Sequence, residues 1–442
     1  MMGLSVQRAP ALDLPARFMA LSVGSFAAAV ASTPWTLPLL QESFSAFHLL
    51  AFVHLGTLGF VGAMLFGASY QLVPVVLQTP LASVRIGRFT FWCYVIGLAL
   101  FLGGLWGSWL PGLSIGGSLL AVAFAGYIGV ILVTWWRAPY HDAIGAHIVG
   151  GASSAGIGMA LGAALAFNKS NGMLGGHLAD VLAAHIVLML VGWVGVMLTG
   201  VAYRLVCMFT LAEKHYRPRW AWAELALTLG GGWVLAIRFA FDLPSGVGQV
   251  AALSILAGYA LFAVHLVKLY RGRMRKAFDI HLPFMVSAVA FVLLAAAMLL
   301  VGLVRHTMPG DPWWVATTWI AIFGVAGTAI QGFFLKIASF LVWLKRYSPV
   351  AGKQPVPKLE QLSNRNIALA GLGFWLVGTI ALVVALLADL PVRPVAPLLI
   401  AAGGCFVANV VRIASHWRDG DRLRLREPVV AARAAQGVRT RG

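Results

Sequence analysis

Two stretches of the chain carry histidines in otherwise apolar sequence and follow them with nearly the same run of glycine, methionine and tyrosine. In residues 48–74, His48 and His54 precede Gly59, Gly62, Met64, Leu65, Gly67, Tyr70, Leu72 and Val73. In residues 177–206, His177 and His185 precede Gly192, Gly195, Met197, Leu198, Gly200, Tyr203, Leu205 and Val206. Neutral imidazole is a good ligand for iron or copper, and an imidazole inside an apolar helix costs free energy unless something uses it. Four histidines in two matching segments therefore point to a bound metal or haem.

The elements that must position them are membrane helices. The 442-residue chain is 60% hydrophobic and 10% charged, with a mean hydropathy of +0.87. It cannot present a soluble surface and is expected to be all-α, with the lipid bilayer as its surroundings. The apolar runs divide into about twelve spans of roughly 20 residues or more, the length that crosses ~30 Å of hydrocarbon. They are placed at 15–40, 45–77, 86–110, 112–135, 142–167, 177–208, 219–241, 246–270, 281–304, 313–344, 366–388 and 393–415. This makes residues 1–14 an amino-terminal tail, 15–415 a transmembrane domain and 416–442 a basic, flexible tail. The net charge of +18 collects on one side of the twelve-span count, from Arg8 and Arg17 to the arginine-rich end. By the positive-inside rule both termini are cytoplasmic and the chain lies in an inner membrane. The basic excess is a topology signal and requires no nucleic-acid partner. The apolar run FMALSVGSFAAAVAS is expected to stay as the first span, since the charge alternation fits with it kept. Cys93, Cys207 and Cys405 stand singly in apolar segments and read as packed thiols.

With the amino terminus inside, the second and sixth spans both run from outside to inside. His48 and His177 then lie near the outer face, while His54 and His185 sit roughly 12–15 Å below their helix starts at 1.5 Å per residue. Two histidines at matched depth are what two helices need to clamp one iron. His48 and His54 point about 120° apart, so one of that pair is expected to lie outside the shared site. The glycines of each segment fall within roughly a 140° arc, leaving a flat strip that a helix or a planar ring can approach.

The segment from His54 to Pro74, with its GFVGAMLFGASYQLVP run, resembles the second helix of the catalytic subunit of haem-copper oxidases and nitric oxide reductases. There a haem-ligating histidine precedes a glycine-rich run ending in Tyr-x-Leu-Val-Pro or a variant. The span count and the outer-half histidine of the sixth span also resemble that superfamily and its divergent relative, the NnrS family, associated with haem, copper and nitric oxide stress. The stretch QGFFLKIASFLVWLKRYSP, residues 331–349, is similar to uncharacterised members of the broader group. The motif match covers about 60 residues; the topology match covers most of the chain. The resemblance implies haem b held by His54 with His185 opposite. His48 and His177 would then contribute a propionate contact or a second metal, copper included. It also implies a cytochrome or quinol electron donor and a role in respiratory electron transfer or nitric oxide and redox response. The departures matter for the reaction. Oxidases carry a histidine pair on the seventh helix, where this chain has WAWAELALTLGGGWVLAIRFAF, and two histidines on the tenth, where it has only Gln331 and Lys336. A full haem-copper centre is therefore not expected.

Lys336 lies roughly 13 Å inside the cytoplasmic edge, beyond snorkelling reach, and needs a carboxylate, a propionate or water. Tyr70, Gln71, Tyr203 and Arg204 fall near inner helix ends, where aromatic belts and basic anchors belong, with a functional role left open by their repetition. His141 and His147 read as a helix-end cluster with Asp142, with a second haem ligand set or a proton entry path as the open alternatives. His215, His265, His281, His306 and His416 read as solvated. No phosphate loop, dinucleotide fingerprint, CxxCH site or zinc motif occurs. A membrane transporter and a haem-free assembly factor are the competing classes, though the second and sixth spans run in the same direction and so are not an inverted repeat.

Overall fold

The computed structural model describes residues 12–43, 45–274, 279–307 and 310–439, with side chains as far as residue 417. Most of the expected amino-terminal tail thus lies outside the described residues. Among the described residues twelve helices are long and apolar enough to cross a membrane: Asp13–Gln41, Phe47–Val76, Val84–Trp106, Leu110–Trp136, Ala143–Asn171, Gly175–Thr210, Pro218–Ala240, Ser245–Arg271, His281–Val304, Pro312–Arg346, Arg365–Leu387 and Arg393–Trp417. Among the described residues there is no strand, so the chain is an all-α polytopic bundle. The last helix continues to Arg439, past the expected boundary at 415. Its Ala- and Arg-rich sequence favours helix over a loose tail.

Contacts between helix ends show the spans alternating in direction. Asp13 and Arg88, at the starts of the first and third spans, pair at 3.0 Å. At the opposite face Lys169, ending the fifth span, donates to the Ser45 carbonyl just before the second, and Arg393 donates to the Pro34 carbonyl of the first. We call the end that holds Asp13 the amino-terminal face.

The second, sixth and tenth spans form the middle of the bundle, and all three change winding midway. Residues Leu55–Gly62, Leu188–Gly195 and Ile320–Gly327 are π-helical. Each segment ends on the middle glycine of one spacing, Gly59-Gly62-Gly67, Gly192-Gly195-Gly200 and Gly324-Gly327-Gly332, so the pattern seen twice in the sequence occurs a third time without histidine. An aromatic side chain lies over each middle glycine. A methyl group there would sit 2.7 Å from the Tyr94 hydroxyl at Gly62 and 3.0 Å from the Trp375 ring at Gly327, and at Gly195 would collide with the Tyr259 hydroxyl. A π-turn shifts hydrogen bonds from i−4 to i−5 and leaves a carbonyl short of its partner, which hydrocarbon cannot replace. Side chains from neighbouring spans supply the donors. The Tyr94 hydroxyl donates to the Leu58 carbonyl at 2.7 Å, Ser22 to that of Phe60 at 2.7 Å, and the Trp375 indole to that of Phe323 at 3.2 Å. Leu58 and Phe323 are equivalent positions, each one residue before the first glycine of its set.

The amino-terminal face holds more buried polarity than the sequence reading allows. His265 and His281, expected to be solvated, are buried at 0% and 3% exposure. His265 lies two turns inside the eighth span, and His281 opens the ninth against the Phe209 and Phe333 rings. Tyr70 and Tyr203 are likewise fully buried inside the bundle. Cys93 and Cys207 are packed as expected, and Cys405 is partly so. Lys336 has the carboxylate it needs. Its ammonium pairs with Asp279, whose other oxygen lies 3.1 Å from His281 Nδ1. Burial alone would push the Asp279 carboxyl up, but the neighbouring His281 and Lys336 hold it well below the usual range.

Two outcomes follow for stability. Trp375→Phe keeps the ring over Gly327 but strands the Phe323 carbonyl, so it is expected to cost about 1–3 kcal/mol, read as a lowered midpoint of thermal unfolding in detergent. Asp279→Asn leaves Lys336 buried without its counter-ion and is expected to cost about 3–5 kcal/mol, with Asp279→Asn/Lys336→Met recovering most of it. Because the folded chain depresses the Asp279 carboxyl, its contribution is fully present above about pH 4 and disappears only as pH falls further, through the folded value. Unfolding midpoints from about pH 7 down to about pH 5 should therefore show no loss traceable to this residue.

Candidate functional site

His54 and His185 line one cavity, as their matched depth predicts. His54 is the last residue before the π-segment of the second span, and His185 lies three residues before that of the sixth. Each is about 10 Å along its helix from the face opposite the amino terminus, counting seven residues from Phe47 and from Leu178 at 1.5 Å each. The cavity has about 180 Å³ open to the centre of a water-sized sphere, against about 110 and 70 Å³ for two adjoining cavities. Its walls are apolar and aromatic, with Phe101, Trp193, Trp319 and Phe323. The Phe101 ring meets His54 edge-on at 5.2 Å.

Hydrogen bonding fixes which imidazole nitrogen is available. His54 Nδ1 lies 2.7 Å from the Leu50 carbonyl one turn back, and His185 Nδ1 lies 2.7 Å from the Gly158 carbonyl of the fifth span. A carbonyl only accepts, so both Nδ1 atoms carry hydrogen and both Nε2 atoms keep a lone pair. Anchoring one ring nitrogen while freeing the other is the arrangement found in ligating histidines. Gly162 permits the close approach, because a methyl group there would lie 2.8 Å from His185 Cε1.

The other sequence candidates lie elsewhere. His48 and His177 are exposed at their helix ends and are not among the residues that line this cavity; His48 packs edge-on against Trp106 at 4.9 Å. Gln331 is buried and donates to the Gly327 carbonyl of its own helix. Lys336 belongs to the ion cluster at the amino-terminal face. Tyr70 packs against Phe18 and Tyr127, and Tyr203 against His147 and His265. His141 meets Trp135 edge-on, while His147 departs from the expected helix-end cluster with Asp142. It is fully buried, with Nε2 2.6 Å from Glu224 Oε2 of the seventh span. Glu224 went unremarked in the sequence; its signal is a lone carboxylate in WAWAELALTL.

The donor set fits one cofactor better than the other. Two imidazoles with free Nε2 atoms, in one chamber with aromatic walls, would be able to hold a haem iron. A copper ion of the oxidase type would need more. No group of three or more His, Cys, Asp or Glu side chains that could hold a metal occurs among the described residues.

The chain matches no family model and no curated protein. Among solved structures it is similar to a haem-copper terminal oxidase, solved as a dimer by cryo-electron microscopy. The similarity has a TM-score of 0.62 at 10% identity and covers 92% of this chain and 82% of that one. At that identity the likeness establishes architecture alone, and the chain is a membrane bundle of haem-copper-oxidase-like fold.

Proposed function

We propose that this chain is an integral membrane haem b protein in which His54 and His185 would hold the haem iron. The observation that carries the reading is the pair of imidazoles, each with Nδ1 tied to a backbone carbonyl and Nε2 free, in a single aromatic-walled chamber. When bound there, haem supplies a one-electron redox centre. The chain's own residues hold the imidazoles neutral and oriented, and the Phe101, Trp193, Trp319 and Phe323 walls exclude water. With both imidazoles engaged by iron, and no third among the described residues that line the chamber, the site would suit electron transfer or a nitric oxide and redox response, close to the NnrS type. It does not fit oxygen reduction at a haem-copper centre. The electron donor would be a cytochrome or a quinol. The distribution of basic loops supports a reading with both termini in the cytoplasm and the chain in an inner membrane.

One observation favours a second reading. The histidine chamber shares Ile186, Leu190, Val194, Trp314 and Thr318 with the second cavity, which in turn shares Gly195, Tyr259, Val292 and Val325 with the third. Adjoining apolar spaces along the bundle also suit passage of a small apolar solute.

Optical spectra of the protein purified from haem-replete membranes, oxidised and dithionite-reduced, decide between them. A reduced b-type spectrum is expected in the wild type. His54→Ala and His185→Ala should each lose more than about nine-tenths of the bound haem, while His48→Ala and His177→Ala keep it. A colourless wild-type protein would overturn the haem reading and leave transport or assembly.

A further inference from the structure

Outside the histidine chamber, the most unusual chemistry in the bundle is at the opposite end. His147 and Glu224 both have side chains of 0% exposure. They lie about 6 Å and 9 Å from the amino-terminal-face ends of the fifth and seventh spans, four residues from Ala143 and six from Pro218 at 1.5 Å each. His147 Nδ1 is 2.6 Å from the Ala143 carbonyl, and Nε2 is 2.6 Å from Glu224 Oε2. Thr228 donates to Glu224 Oε1 at 3.2 Å. The Ala143 carbonyl can only accept, so Nδ1 carries hydrogen, and a single proton lies between Nε2 and the carboxylate. The pair is either imidazolium with carboxylate or imidazole with carboxylic acid, and both forms bind the same number of protons.

A static clamp would be closed off from further polar groups. This one adjoins buried polar atoms that have no partner among the described residues: the Tyr203 and Tyr216 hydroxyls, His265 Nδ1 and Arg204 Nε. The Tyr203 ring centre is 5.9 Å from His147, 5.0 Å from His265 and 5.8 Å from Tyr216. Tyr216 and His265 stack at 5.5 Å, and His265 Nε2 accepts from the Arg217 backbone N–H, which puts the His265 proton on Nδ1. All four orphan atoms are therefore donors or can be. Buried donors of this kind are met by ordered water. Burial, with Asp142 close by, pushes the Tyr216 hydroxyl up and keeps its proton on. Tyr216 is in the loop between the sixth and seventh spans, at the membrane edge, so the row of orphans runs from that edge inward.

We infer that His147 and Glu224 form a buried proton-binding site, filled from the amino-terminal face through water held by Tyr216, His265 and Tyr203. Uptake of one proton from a hydronium ion leaves water behind and converts the pair to imidazolium with carboxylic acid; release to water reverses the step. Besides Thr228, the titratable or charged groups around the pair are Tyr203 and Arg204 from the sixth span, Tyr216 and Arg217 from the loop, Tyr259, His265 and Lys268 from the eighth, and Asp142 at the start of the fifth. No group of the histidine chamber takes part, so the inference stands whether or not haem binds there.

Infrared difference spectra of the purified full chain, titrated from about pH 5 to about pH 9 in H2O and D2O, test it directly. A carboxylic-acid band that grows or moves as pH falls and shifts in D2O is expected, and Glu224→Gln should abolish it. Thr228→Val, which alters one hydrogen bond and little volume, should move the band without removing it and identifies Glu224 even if Glu224→Gln fails to fold. Tyr203→Phe should keep the band but slow its deuterium exchange by roughly tenfold or more. A wild type with no such band, or a band unchanged by both Glu224→Gln and Thr228→Val, overturns the site. Exchange in Tyr203→Phe as fast as in the wild type overturns the water path.

Discussion

A backbone carbonyl in hydrocarbon must find a donor inside the protein, and this bundle creates carbonyls that cannot find one in their own helix. The second, sixth and tenth spans each carry a π-segment, and in the second and tenth carbonyls of that segment are met by Tyr94, Ser22 and Trp375 from other spans. Tyr94 and Trp375 reach their targets over Gly62 and Gly327, where a methyl group would crowd them. In these two spans a neighbouring span supplies a hydrogen bond that the helix itself does not. The histidine chamber depends on this, since His54 and His185 sit at or just before the segments where the winding changes.

Much of the architecture was legible in the sequence. Twelve apolar runs give twelve helices, and the two histidine segments do face one cavity, because hydrocarbon thickness and helical rise leave little freedom in length or depth. His265 and His281 stand in or beside loops, where the sequence predicts solvation, but side chains of neighbouring spans cover both. Glu224 has no polar neighbour in sequence, and its partner His147 is 77 residues away. The third glycine set has no histidine ahead of it, so nothing in the tenth span marks it as a counterpart of the other two.

Polarity divides the molecule in two. The half away from the amino terminus holds neutral imidazoles in an apolar chamber with few polar atoms. The amino-terminal half concentrates the ion cluster of Lys336, Asp279 and His281 and the linked set around His147 and Glu224. The apolar cavities between them share walls but contribute little hydrogen bonding.

The threefold glycine spacing has a consequence for what this scaffold can become. His54 stands five residues before the first glycine of its set, and the residue in that place in the tenth span is Trp319, which also lines the histidine chamber. The same register thus delivers an imidazole from the second span and an indole from the tenth to one chamber, so a single residue in each helix sets whether its wall of that space is polar or aromatic.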